Sequence, residues 1–504
     1  MKNMKLYSEK QAERWGEAYP IGNGHMGAMV YGSFPENRIL FTENTFFSGK
    51  KSGENNQDGA DLAFSKMRVA AGDGKIEEVH LEAENFIGKK NDYGTNLPVG
   101  NLFIEYTGKI ENPRIKRILD INSGIIQNEY KFSSHNNNIK IKEECFMSHP
   151  DNIFALKIET NRKQTIKVRW EACNKYGNEV YEANTIVFRC KAYERMHCDN
   201  LCGVELEGKL NIETDGKQRI EADGIQISGA AIVILYVRMK TNFEKLANRK
   251  VIQNNEITYN HQWTKEAYEI IKQKHSKEIE TKMKKVSLEL DMENKELATK
   301  SSFLFQYGRY LLLSSSREDS VLPAHLQGIW NDNVACSIGW TCDMHLDINT
   351  QMNYWLAETT NLSETTRPLF NWIETELVPQ GRQTAEISYG RKGWVAELVS
   401  NAWGFSAPYW NSSLAPCPTG GVWIISQMWE HFQFTNNRIF LKTECYPILA
   451  EAVLFFVEYV FADKNGNLTS GPSISPENSF NVNGKTFQIS NGCTYEIIMI
   501  RNCL

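Results

Sequence analysis

At 504 residues the chain exceeds what a single hydrophobic core organises, so its length predicts roughly two to four domains. A formal net charge of −5 and a pI near 6.1 exclude a basic nucleic-acid-binding face. No run reaches the ~20 apolar residues that span a bilayer, which predicts a soluble globular protein with neither nucleic acid nor membrane as partner.

The N-terminus, "MKNMKLYSEKQAERWGEAYP", has no apolar h-region, and the expectation is a cytoplasmic protein. Eleven cysteines are scattered without paired metal-ligand spacing. The nearest pair, Cys198 and Cys202 in "MHCDNLC" with His197, lacks the second ligand pair of a zinc site, so reduced and mostly buried thiols are expected.

Residues 1–265 read as a β-sandwich domain. Short stretches such as "NLFIEYTG", "NIFALKIET", "QTIKVRW" and "AAIVILYVRMK" are separated by Asn, Gly and Lys turns. The Gly-rich "PIGNGHMGAMVYG" lacks the strand–helix context of a phosphate loop. Residues 266–300, with "EAYEIIKQKHSKEIETKMKK", predict a helical linker. From 301 to 504, five stretches repeat apolar residues at i, i+3, i+4 and i+7: "SSFLFQYGRYLLLSSS", "QMNYWLAETTNL", "TRPLFNWIETELV", "GVWIISQMWEHFQF" and "YPILAEAVLFFVEYVF". Loops rich in Gly, Pro, Ser and Asn separate them.

Nine of the twelve tryptophans fall between Trp330 and Trp429, many beside loop residues, a crowding that suits either a packed core or a pocket stacking sugar rings. Within that region "HLDIN" sets His345, Asp347 and Asn349 at alternate positions. In an extended segment all three project to one face, and a helix would follow near Thr350 with Met352, Trp355 and Leu356 turned inward. N-capping accounts for one such polar residue but not for three in alternation. In "TSGPSISPENSF", Glu477 follows Pro476 and Pro472, so its loop is stiff and a carboxylic acid there is pre-positioned, as a general acid requires. An ordinary solvated loop Glu has the same composition.

These segments together, with "AYPIGNGHMGAMVYG", "ILFTENTFFSGK", "LQGIWNDN", "SNAWGFSAP" and "PTGGVWIISQMWEHF" in order along the chain, resemble glycoside hydrolase family 95, the inverting α-L-fucosidases. The resemblance implies an N-terminal β-supersandwich, a helical linker and an (α/α)6 barrel. It implies Glu477 as general acid, and Asp347 with Asn349 as the pair that positions and polarises the attacking water. It also implies a fucosylated oligosaccharide or glycan as substrate, with no metal or organic cofactor. Sugar contacts are expected from His345, Trp340, Trp355, Glu397, Trp403 and Trp423. Related α-L-galactosidase specificity and a catalytically inactive fragment are the alternatives.

Three departures accompany the resemblance. Asp347 stands where many members have Asn, and Glu397 where members commonly carry His. The chain ends at "CTYEIIMIRNCL" with about six barrel helices legible of the twelve expected. The expectation is therefore a barrel truncated within 301–504, lacking the family's basic Asp, and of little or no activity.

Overall fold

The computed structural model describes residues 4–135, 137–247, 265–409, 411 and 414–504. Through residue 247 the chain builds one fourteen-stranded antiparallel sheet folded on itself as a β-sandwich. Strand Ile153–Ala172 joins the two halves. Its residues 153–160 pair with 141–148, and its residues 165–172 pair with 100–107. "NIFALKIET" and "QTIKVRW", expected as separate strands, are thus one. The neighbouring strand Gly224–Thr241 follows it through irregular register on either side of Ala230, the bending that lets one strand serve two sheets.

Between the layers Phe41 meets Phe154 edge-on at 5.0 Å, and Trp170 stacks on Phe188 at 3.8 Å. Two glycines make room for that stack: a Cβ on Gly100 would lie 2.6 Å from the Trp170 ring, and one on Gly208 would lie 2.1 Å from Phe188. Either substitution would overpack a dense interior.

The β-domain also holds two helices that a purely β reading of residues 1–265 omits, Ala60–Gly72 and Ile76–Ala83. Ala60, Ala63, Phe64, Met67 and Ala70 are the buried stripe of the first, at helical spacing. Phe64 meets Tyr389 at 4.8 Å and Tyr459 at 5.8 Å, so one hydrophobic core runs from the sandwich into the later helices.

The expected linker, 266–300, is helical over Lys265–Met283 and again from Lys295, with non-helical chain between. Its first helix is laid on the outer face of the sandwich, where Tyr268 packs 5.5 Å from Phe146 and His275 stacks on the same ring at 4.8 Å. Its C-terminal carbonyls have no partners within the helix. Arg309 supplies them: its guanidinium donates to the carbonyls of Lys282 (2.9 Å), Met283 (2.9 Å), Val286 (3.3 Å) and Thr360 (3.2 Å).

The next helix, Lys295–Ser315, starts before residue 301, capped by the Asn294 side chain, which accepts from Leu297 N–H at 3.0 Å. Asn349–Thr359, 367–389, Gly420–Thr435, 438–459 and Thr494–Cys503 follow, giving six helical runs of ten residues or more after residue 290 among the described residues. Pi turns at Ile373–Leu377 and Leu441–Cys445 interrupt the two longest. This is half the helix count of an (α/α)6 barrel.

The Asn349–Thr359 helix turns Met352 and Trp355 the other way from expectation, while Leu356 packs partly buried against the core. Met352 and Trp355 are 49% and 44% exposed, whereas Gln351, Tyr354 and Glu358 are buried. Most of their polar atoms are hydrogen-bonded, the Gln351 Oε1 excepted. Gln351 donates to the Leu346 carbonyl at 2.7 Å, the Tyr354 hydroxyl accepts from Ala324 N–H at 2.9 Å, and Glu358 pairs with His431 at 2.6 Å. All eleven cysteines are free thiols. No described helix is long and apolar enough to cross a membrane.

Candidate active site

The segment bearing His345, Asp347 and Asn349 is not one extended strand. Only Met344–His345 is extended, pairing with Val399–Ser400; residues 346–348 form a turn, and Asn349 opens the helix. His345 is consequently buried, while Asp347 and Asn349 are half-buried.

His345 Nε2 lies 3.0 Å from Oδ1 of Asp343, a fully buried carboxylate whose other oxygen accepts from the Tyr93 hydroxyl at 2.6 Å. Trp340 meets the imidazole edge-on at 5.3 Å. Burial alone would lower the His345 pKa, but Asp343 outweighs it and the net shift is upward, favouring the imidazolium. Burial raises the Asp347 carboxyl above its ordinary range; His345 opposes the rise, and Glu477 and Asp343 add to it. The charge of Glu477 therefore reaches Asp347 across the site.

Glu477 rides on a turn braced from below. Strand Ser473–Ile474 pairs with Ile489–Ser490, and Ile474 N–H donates to the Pro416 carbonyl at 2.9 Å. The chain then reverses, with Asn478 N–H donating to the Ser475 carbonyl at 2.9 Å. Pro476 presets the first central position, and Glu477 takes the second at φ +60°, where glycine is the usual occupant. A left-handed glutamate is strained, and such strain concentrates at functional positions. The side chain is exposed.

Trp423 is half-buried and meets Tyr495 at 5.7 Å. Burial raises the Tyr495 hydroxyl pKa, and Cys417 and Asp347 raise it further, so this tyrosine is within electrostatic reach of Asp347. Neither Tyr495 nor the Tyr93–Asp343 pair was named from sequence. Tyr93 and Asp343 stand 250 positions apart, and no local spacing links them.

Three expected sugar contacts are not gathered with these: Glu397 and Trp403 are enclosed, and Trp355 faces outward. Glu397 is 1% exposed, accepts from the Tyr389 hydroxyl and from Cys417 N–H (2.5 Å), and burial pushes its pKa up to about 7. Trp403 is a buried wedge between the two halves, stacked on Phe243 at 5.0 Å with its indole N–H donating to the Ser48 carbonyl at 3.3 Å. Trp355 lies on the exposed stripe of its helix with Met352. Met352 and Leu356 line a separate cavity of about 430 Å³ with Trp15, Tyr307 and Trp330, which none of the candidate active-site residues enters. Of the expected set, the structure gathers His345, Trp340, Asp347 and Glu477, and sets Trp423 against Tyr495, whose hydroxyl feels the Asp347 charge.

Comparison with known proteins places these elements in context. Residues 249–504 match the family described as the glycosyl hydrolase family 95 catalytic domain, and residues 6–246 match the glycosyl hydrolase family 65 N-terminal domain. Among curated relatives, α-L-fucosidase 2 of Arabidopsis thaliana is 27% identical over 99% of this chain and 64% of its own length. A protein described as a probable α-fucosidase A of Aspergillus niger is 26% identical, over 95% of this chain and 63% of its own length. The chain thus spans a little under two thirds of these relatives. A solved structure described as a kojibiose phosphorylase from the human microbiome shares the fold at a TM-score of 0.64 with 12% identity, covering 99% of this chain and 64% of that one.

Proposed function

Because the chain belongs to glycoside hydrolase family 95, we propose that it hydrolyses terminal α-L-fucosyl residues of oligosaccharides with inversion at the anomeric carbon. Glu477 donates the proton to the departing glycosidic oxygen. Asp347 and Asn349 hold the attacking water on the opposite face of the sugar. His345, charged through Asp343, steadies the Asp347 carboxylate. Trp340, Trp423 and Tyr495 offer the aromatic surface on which a sugar ring stacks.

One observation carries this reading: a glutamate held on a strained turn faces a half-buried aspartate whose carboxyl its charge helps raise above the ordinary range. An inverting pair needs two carboxyls at one site, one to donate the proton and one to hold the water. Names of relatives support fucose as the sugar. L-Galactose differs only in carrying a hydroxyl at C6.

The test compares the parent and Glu477→Gln on a fucosylated oligosaccharide, an aryl α-L-fucoside and the matching α-L-galactosides. Loss of the acid should cost roughly 10²–10⁴-fold on the oligosaccharide and much less on the aryl glycoside, whose leaving group needs little protonation. Proton NMR should detect β-L-fucose as the first-formed anomer. Unchanged turnover in Glu477→Gln, or α-L-fucose released first, would refute the assignment. Faster cleavage of the galactosides would move the specificity to L-galactose, and a parent chain inactive on all of them would leave an inactive member of the family.

A further inference from the structure

We propose that His25, His149 and Asp319 form a binding site for one divalent transition-metal ion, of the zinc, cobalt(II) and nickel(II) class, which staples the β-sandwich to the first long helix of the catalytic region. The three residues come from three remote segments. His25 sits in the turn between strands Tyr19–Gly22 and Met26–Val30, His149 in the turn after strand Asn137–Ser148, and Asp319 just past helix Lys295–Ser315. His25 belongs to the Gly-rich stretch that phosphate chemistry did not explain.

Their donor atoms converge. His149 Nε2 is 2.8 Å from Asp319 Oδ1, His25 Nε2 is 3.4 Å from Oδ2, and all three ligand atoms lie within 4.8 Å of one another. The two imidazoles are nearly parallel, 11° apart, with centroids 6.3 Å apart. An ion bonded at ~2.0–2.1 Å to N and O donors holds neighbouring ligands roughly 2.9–3.4 Å apart across angles between 90° and tetrahedral. The two histidine-to-aspartate spacings bracket that range, so each imidazole already stands at a ligand's distance from the carboxylate.

The scaffold is already rigid. Asn23 ties the two histidine turns together: its Oδ1 accepts from His25 N–H at 3.0 Å, and its Nδ2 donates to the Ser148 carbonyl at 2.9 Å and to Asn152 Oδ1 at 3.0 Å. Gly24, at φ +84°, lets this turn press on the aspartate loop, since a Cβ there would sit 2.4 Å from Ser320 Oγ. Ser320 Oγ in turn accepts from Arg317 N–H at 2.9 Å. Side-chain exposures of 20% for His25, 18% for His149 and 49% for Asp319 leave one side open to ordered water, completing the coordination of a three-ligand site.

Two imidazoles and a carboxylate select the ion. Calcium and magnesium require oxygen-rich cages, whereas imidazole suits zinc and its transition-metal neighbours. A second cluster, Glu194, His197 and Cys336, also brings three donors within 4.8 Å, and it differs in containing a thiol. The Glu194 carboxylate is already engaged there, accepting from the backbone N–H of Met196 at 2.6 Å and of His197 at 2.9 Å. The thiol gives the experiment a spectroscopic discriminator.

The chelator-stripped full chain is titrated with cobalt(II) and zinc(II), following visible absorption, calorimetry and the thermal unfolding midpoint. One ion per chain should bind, with cobalt d–d bands of nitrogen and oxygen ligation, no sulfur-to-cobalt charge-transfer band, and a raised unfolding midpoint. His149→Gln and His25→Gln keep a hydrogen bond to Asp319 and so should unfold like the parent without metal. Each should bind metal at least ~10-fold more weakly and lose the metal-dependent rise. Absence of binding, unchanged affinity in both variants, or a sulfur charge-transfer band abolished by Cys336→Ser would each overturn the site.

Discussion

Replacing Glu397 by Gln should stabilise the chain at alkaline pH and leave it nearly unchanged at acidic pH. The carboxyl is buried beside the Tyr389 hydroxyl and Cys417 N–H, with Glu496 acting on it from beyond. Burial pushes its pKa from the ordinary 4.5 to about 7, more than the two hydrogen bonds pull it back. The folded chain therefore binds this proton more tightly than the unfolded chain does. The resulting stabilisation is complete below about 4.5 and is lost as pH rises toward 7. At ~1.4 kcal/mol per pH interval, the carboxylate costs at most about 3 kcal/mol at pH 8. A glutamine keeps the shape, orients its carbonyl toward Cys417 N–H, and carries no charge to desolvate. Urea unfolding of parent and variant at several pH values between 5 and 8 should show a stability difference that grows with pH toward that ceiling. A pH-independent difference, or one that shrinks as pH rises, would refute the reasoning.

Three further outcomes can be checked. Glu477→Gly should abolish hydrolysis yet leave the unfolding midpoint equal or higher, because relief of ~1–2 kcal/mol of left-handed strain exceeds the ~0.5–1 kcal/mol of added backbone entropy; a clearly destabilised variant would contradict the turn assignment. His345→Gln removes the cation that lowers the Asp347 carboxyl pKa, so the acidic limb of kcat/KM should move to higher pH, and an unmoved limb would separate the two residues. Arg309→Lys keeps the charge but cannot reach four carbonyls at once, and should lower stability in urea by about 3 kcal/mol; a loss below ~0.5 kcal/mol would mean that water replaces the guanidinium.

Much of the architecture is legible in the sequence, for physical reasons that also mark where legibility stops. The long helices of the C-terminal half announce themselves through apolar residues at i, i+3, i+4 and i+7 between Gly- and Pro-bearing loops, and the strands through alternation. Which stripe of a helix is buried is another matter. In Asn349–Thr359 two stripes carry large side chains, and the buried one is chosen by hydrogen-bond partners such as Leu346 and His431, which no local pattern reveals. Glu397 and Trp403 show the same limit. Both sit among motifs that resemble the family's sugar-binding segments, yet Tyr389 and Cys417 enclose the first and Phe243 and Ser48 hold the second. Glu477 was the most readable candidate, because two prolines constrain its loop in one dimension.

The β-domain braces the candidate site from both sides, and this is the part a linear reading cannot supply. Tyr93 holds Asp343, and through it His345, and its hydroxyl also lies 2.8 Å from the Ser400 carbonyl on the strand paired with Met344–His345. Across the site, the Arg68 guanidinium donates to the Gly471 carbonyl at 2.9 Å, at the root of the Glu477 loop. His80, donating through Nδ1 to the Ile76 carbonyl at 3.0 Å, accepts at Nε2 from the N–H groups of Gln488 (3.1 Å) and Ile489 (3.3 Å) on the strand that pairs with Ser473–Ile474. The carboxylates proposed to act as acid and water holder thus stand on segments pinned by residues 68, 80 and 93, all from the N-terminal domain. General acid catalysis tolerates little misplacement, since a shift of about 1 Å can cost ~10²-fold in rate. The sandwich is therefore part of the positioning apparatus, and the helices alone would present the same side chains without the bracing that sets their geometry.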